Sequence, residues 1–212
     1  MAWRIATALS NSLNPFVFPP LVFALLLWHW GISGHERWLV LGLVTLHFTV
    51  LPLLYLVYLL RQGWIESLDV PQRLKRTRPF AWGVVSYALA LLMVLWWRPP
   101  GWEPTAWIMG AYLVNTIVAM VINLWWKISV HLMGLSGALA VLVFFLRHPL
   151  PGYGHRLSWD PLIWGLLGLV PALMWARLTL RAHSWAQTAI GALYGFGATY
   201  GLLCWGWKLY AR

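Results

Sequence analysis

Seven apolar stretches, each close to 20 residues and separated by short polar punctuation, set the rhythm of this chain. They fall near residues 15–34, 38–60, 80–97, 105–126, 128–146, 161–177 and 187–207. A helix rises about 1.5 Å per residue, so stretches of this length match the thickness of a bilayer's hydrocarbon core. The pattern predicts an all-α fold, a polytopic helical membrane protein forming a six- to seven-span bundle. Pro15, Pro19 and Pro20 make the first span the weakest and predict a bend there. The connections "GHER", "RPPGWEP" and "RHPLPGYGHRLSWD" carry the Gly, Pro and charge expected of turns between helices. No internal repeat, linker or low-complexity tail interrupts the series, so a single domain over residues 1–212 is expected. The opening "MAWRIATALSNSLNPFVFPP" lacks a compact apolar core ending in a small-residue cleavage site and reads as retained.

Composition narrows this further. The chain is 61% hydrophobic and 9% charged, whereas a soluble domain carries about a quarter charged residues. Many of its 18 tryptophans lie at the ends of the apolar stretches, where indoles favour the interface between membrane and water. The single cysteine, Cys204, excludes an intrachain disulfide. The net charge of +10 has two readings: anchorage to anionic headgroups, or binding of an anionic substrate. Nucleic acid is not an expected partner, because no soluble domain presents a basic face.

Helix parity turns the charge into a site. Counting spans puts the N-terminus, the loop 61–79 and the junctions at 127–131 and 177–187 on one side of the bundle. That side collects nine of the 15 Lys and Arg, against six on the other, which by the positive-inside rule makes it cytoplasmic. If Arg73, Arg76, Lys127 and Arg177 bind substrate, the comparison becomes five against six and the orientation is open. Either way, three polar segments meet one membrane face.

Each segment has its own chemistry. In "RQGWIESLDVPQRLKRTRPF", Arg73 and Arg76 are three apart, on one face of a helical turn, and guanidinium groups suit phosphate oxygens. In "WKISVHLMGLSG", Lys127 and His131 are four apart at the start of a helix, with Ser129 between them. Free N–H groups at a helix start favour an anion. In "WARLTLRAHSWAQTAIGALYGFG", Arg177 precedes His183, and Gln187 follows one turn later. The Gln187 amide oxygen is then placed to accept from one imidazole nitrogen and leave the other free for attack or proton transfer. Taken singly, the first segment reads more readily as a positive topology loop, and the other two read equally well as a snorkelling lysine with a structural histidine and as a buried hydrogen-bonded histidine.

Taken together they resemble the membrane-embedded branch of the phosphatidic acid phosphatase type 2 superfamily, which also includes vanadium haloperoxidases. That family's third motif is Arg, five residues, His, three residues and then usually Asp; Arg177, His183 and Gln187 keep the spacing with one substitution. Its second motif, Pro-Ser-Gly-His, aligns with Ile128-Ser129-Val130-His131. Its first, Lys, six residues, Arg-Pro, ends in Arg78-Pro79 but has Pro71 at the Lys position. A bacterial variant of that motif fits through Asp69, Arg73, Arg76, Pro79 and Phe80. The resemblance covers about residues 66–200.

It implies a metal-free hydrolase that passes the phosphoryl group through a phosphohistidine, acting on phosphatidate, phosphatidylglycerophosphate, or a polyprenyl phosphate or diphosphate. His183 would be the nucleophile, oriented by Gln187, and His131 the general acid. Arg73, Arg76, Lys127, Ser129 and Arg177 would hold the phosphate. No metal or cofactor is expected. The bilayer and a lipid phosphate are the expected partners, and the location is a multi-pass one in a bacterial inner or plasma membrane. Other classes compete: a phosphotransferase of the same superfamily, a haem carrier using His47, His131 or His183, or a lipid-binding or transport protein. A magnesium-dependent prenyl transferase is disfavoured because the five acids are scattered.

Overall fold

A computed structural model describes residues 1–150 and 160–210. Among them the chain is all-helical: α1 (Ala2–Ser12), α2 (Phe18–His29), α3 (Gly34–Thr45), α4 (Leu51–Arg61), α5 (Thr77–Trp97), α6 (Trp102–Asn123), α7 (Val130–Arg147), α8 (Asp160–Thr179) and α9 (Trp185–Tyr210). Four helical stretches are long and apolar enough to cross a membrane: Gly34–Arg61, Arg73–Trp97, Trp102–Asn123 and Val130–Arg147. The predicted turn at 147–160 falls mostly outside the described residues.

The start of the chain departs from the expected pattern. Residues 2–12 form a helix of their own, with Trp3 and Ile5 exposed and Ala6 and Ser10 buried; α1 packs along α8. Pro19 and Pro20 begin α2 instead of bending it, as proline's missing N–H is harmless in a first turn. At 12 residues, α2 rises only about 18 Å and falls well short of a bilayer core.

The second apolar stretch folds as one continuous helix, α3 joined to α4 through a widened turn at Leu46–Val50. Pro52 explains the widening, since its ring would clash with the carbonyl of the preceding turn. The Ser86 hydroxyl of α5 donates to the carbonyl of His47 (2.8 Å), and His47 Nδ1 donates to the Ser86 carbonyl (3.0 Å). His47 therefore clasps two helices together.

The centre of the bundle is α7, buried on nearly every side, as befits a helix apolar all round. It lies tightly against α9 because of α9's glycines. A Cβ at Gly191 would come within 2.8 Å of the Ser129 carbonyl, and one at Gly195 would overlap the Met133 backbone. This close approach joins the start of α7 to the first turns of α9. Those two places carry the Ser129–His131 and His183–Gln187 pairs.

Candidate functional site

The three polar segments converge at one end of the bundle, as the span parity predicted. They are hydrogen-bonded to one another: the Ser129 backbone N–H donates to the Gln187 carbonyl (3.3 Å), and the Lys127 side-chain Nζ donates to the Ala182 carbonyl (2.8 Å). Arg76 Nη1 reaches the Ile128 carbonyl (3.4 Å). Between the segments lies a cavity of about 150 Å³, walled on its polar side by Asp69, Arg76, His131, Arg177 and His183. Its remaining walls are mostly apolar and include Pro52, Leu56, Phe80, Tyr87 and Met133 from α4, α5 and α7.

His183 sits in the bend between α8 and α9. Its Nδ1 donates to Gln187 Oε1 (3.1 Å), as the one-turn spacing predicts, and Nε2 has no such tie among the described residues. The same amide oxygen accepts the Ser184 backbone N–H (3.1 Å), while Ser184 Oγ accepts the Gln187 N–H (3.3 Å). Ser184 and Gln187 thus form a capping box at the start of α9. The "SWAQ" signature was legible in the sequence, and it gives Gln187 a structural task beside its bond to the imidazole. Burial, together with the charges of Arg76, Arg177 and Lys127, holds His183 well below the ordinary histidine pKa; the Gln187 bond opposes this only in part. The imidazole is therefore neutral at neutral pH.

Arg177 is the most deeply buried cation among the described residues, 1% exposed. Its Nη1 donates to Ser10 Oγ of α1 (2.7 Å) and to Asp69 Oδ2 (3.1 Å). Its Nε has no hydrogen-bond partner among the described residues, and neither has the buried Ser129 Oγ. Ser10 is a contributor the sequence did not single out, since nothing in its local pattern distinguishes it from a surface serine. His131, on the first turn of α7, has Nε2 4.0 Å from Asp69 Oδ1.

The two arginines of the first segment go separate ways. Arg76 faces the cavity, with Nε on the Val70 carbonyl (2.8 Å) and Nη2 on the Asp69 carbonyl (3.2 Å). Arg73 turns away from the cavity to cap α6, donating to the carbonyls of Asn123 (3.0 Å) and Leu124. Asn123 Nδ2 returns a bond to the Arg73 carbonyl (2.9 Å). Their shared face held, since residues 73–76 form a tight 3₁₀ turn, but long side chains from one face reached different partners. Lys127 stands beside the cavity without lining it. Partial burial, and then the charges of Arg76 and Arg177, lower its pKa to about 8.

No cluster of His, Cys, Asp and Glu suited to a metal ion occurs among the described residues. No protein-family model matches the chain, and no curated protein or solved structure matches it.

Proposed function

We propose that this chain is an integral, multi-pass membrane enzyme that removes phosphate from a lipid phosphate or diphosphate through a phosphohistidine. The observation that carries the reading is the convergence of His183, His131, Arg76 and Arg177, from three distant segments, on one cavity whose other walls are apolar. Four helices of spanning length support the membrane setting. So do exposed tryptophans at both ends of the bundle, Trp125 and Trp185 near the site and Trp38 and Trp96 at the far end. A site at one end of such a bundle meets headgroups, and an apolar extension accepts part of a chain.

In this mechanism Nε2 of His183 attacks phosphorus while Nδ1–H stays on Gln187. The bond from phosphorus to the leaving oxygen breaks, and His131, protonated in company with the bound phosphate's negative charge, gives that oxygen its proton. Water then attacks the phosphohistidine, passing a proton to the now neutral His131 and breaking the P–N bond to release inorganic phosphate and neutral His183. Arg76, Arg177 and Lys127 carry the charge that spreads over the phosphoryl oxygens, the role fixed cations play in phosphoryl transfer. A diphosphate, with its better leaving group, makes the smaller demand on a histidine oriented by a neutral amide, so polyprenyl diphosphate is the favoured substrate.

The test is phosphate release by detergent-purified protein, with chelator present, from phosphatidate, phosphatidylglycerophosphate, and polyprenyl mono- and diphosphate. Release that is lost in His183→Ala is the expected result. Release that persists in His183→Ala, or no release from any of the four lipids, refutes the proposal.

A further inference from the structure

We infer that Asp69 is the site's own anion, a carboxylate seated in the phosphate cradle that a terminal phosphate displaces and a phosphodiester does not. This rests on the reading of the site as a phosphate site and adds a selectivity device to it.

Asp69 is the one carboxylate lining the cavity among the described residues. One of its oxygens is 3.1 Å from Nη1 of Arg177, and the other faces Nε2 of His131 at 4.0 Å. It therefore lies between a guanidinium and an imidazole that a bound phosphate would need. Arg76 is engaged by the same short segment through its backbone, with Nε on the Val70 carbonyl and Nη2 on the Asp69 carbonyl. Both cavity-facing arginines thus hold residues 69–70.

Three features suit that segment to leaving. Asp69 is half exposed at its side chain, so its carboxylate has solvent to move into. Val70 has φ of 45°, a left-handed conformation that a β-branched residue adopts only under constraint. Here the constraint is visible as the Arg76 bond to the Val70 carbonyl and the seating of Val70 beside Leu56, Leu59 and Ile65. A phosphate that takes the donors of Arg76 and Arg177 removes the ties that keep Asp69 in and Val70 strained. The outer part of the loop is already cross-tied, Glu66 to Gln72 (2.6 Å) and to Lys75 (3.9 Å), which favours movement of the segment as a unit.

Charge then sets the selectivity. A terminal phosphate carries between one and two negative charges near neutral pH and gains by replacing a carboxylate that carries one. A phosphodiester carries one and gains little. The carboxylate is the same obstacle to every anion, so it acts as a threshold that phosphomonoesters and diphosphates pass and that keeps out the weaker-binding diester headgroups, the abundant anions of a membrane surface.

The experiment measures equilibrium binding of inorganic phosphate and of dimethyl phosphate to the detergent-purified full chain. It compares the chain as it stands with Asp69→Asn, each also carried in a His183→Ala background so that binding is read independently of turnover. If the closed form predominates by roughly ten to one, removing the competing charge tightens phosphate binding about tenfold. Dimethyl phosphate should gain by the same factor, because both anions meet the same closed form, so that a diester too weak to open the seated segment binds measurably once the charge is removed. Unchanged or weaker binding of both anions in Asp69→Asn overturns the inference and leaves Asp69 as a structural partner of Arg177. A second readout keeps Asp69 intact: Val70→Cys in a Cys204→Ser chain, where the thiol is buried while the segment is seated. Inorganic phosphate should accelerate its labelling several-fold and dimethyl phosphate should not, and equal rates with and without phosphate overturn the inference. Absence of lipid hydrolysis by the chain as it stands would count against the proposed reaction alone, because neither readout requires turnover.

Discussion

Gln187 holds two groups at once, and replacing it separates orientation from folding. In Gln187→Ala, His183 Nδ1–H and the Ser184 N–H both lose their acceptor. A buried donor left unpaired costs about 1–3 kcal/mol. If the full cost at His183 falls on the transition state, at about 1.4 kcal/mol per tenfold change in rate, kcat/KM drops roughly 5- to 150-fold. Half of the capping box is lost as well, the Ser184 Oγ bond to the backbone N–H of residue 187 being kept, which lowers stability by a further ~0.5 kcal/mol, the low end of the range for a lost cap. Gln187→Glu keeps the length and both acceptor contacts and adds a negative charge beside the imidazole. It should hold the stability of the parent and raise kcat, because a carboxylate stabilises the cationic imidazole that forms as phosphorus bonds to Nε2. The assay is kcat/KM on the best lipid substrate, paired with a thermal melt in detergent. A Gln187→Ala protein that melts early but turns over at the parental rate would refute the orienting role and leave Gln187 as a helix cap. A Gln187→Glu protein with activity below that of Gln187→Ala would refute the electrostatic reasoning.

Three further outcomes follow from the same geometry. Lys127 has its pKa lowered to about 8, so kcat/KM should fall as pH rises through 8, and Lys127→Arg should move that limb beyond the accessible range. Stability should move the other way between pH 8 and 10.5, where the unfolded chain holds a proton that the folded one has released; an alkaline limb that stays put in Lys127→Arg would sink the assignment. Arg73→Met should lower the melting temperature, through loss of the α6 cap, while changing KM less than twofold; Arg76→Met should raise KM at least tenfold, and the reverse order in KM would show that Arg73 is the phosphate ligand. Gly195→Ala should destabilise by about 1–3 kcal/mol, because its Cβ overlaps the Met133 backbone. Gly201→Ala, which meets nothing within 4 Å, should instead stabilise by up to ~1 kcal/mol; equal melting temperatures would mean that α7 and α9 are not locked by close approach.

Much of this protein is written in its hydrophobic pattern. Apolar runs of spanning length define α5, α6 and α7 to within a few residues, since little but helix satisfies the backbone of such a segment in hydrocarbon. Counting those runs also placed three polar segments at one end, because an antiparallel succession of helices leaves alternate junctions on the same side. The spacing of His183 and Gln187 translated into a hydrogen bond, with His183 in the bend before α9 and Gln187 in its first turn. Other features depended on contacts between residues far apart in the chain. Arg73 and Arg76 share a turn and look alike in the sequence, yet the nearest acceptors available to each, the end of α6 or the 69–70 segment, separated their roles. Ser10 met Arg177 across 167 positions, and Asp69 met it across 108; no local pattern encodes either distance. Helical periodicity sets which residues share a face, whereas the partner of a buried charge is chosen by packing, since a cation removed from water takes whatever acceptor the fold brings within reach.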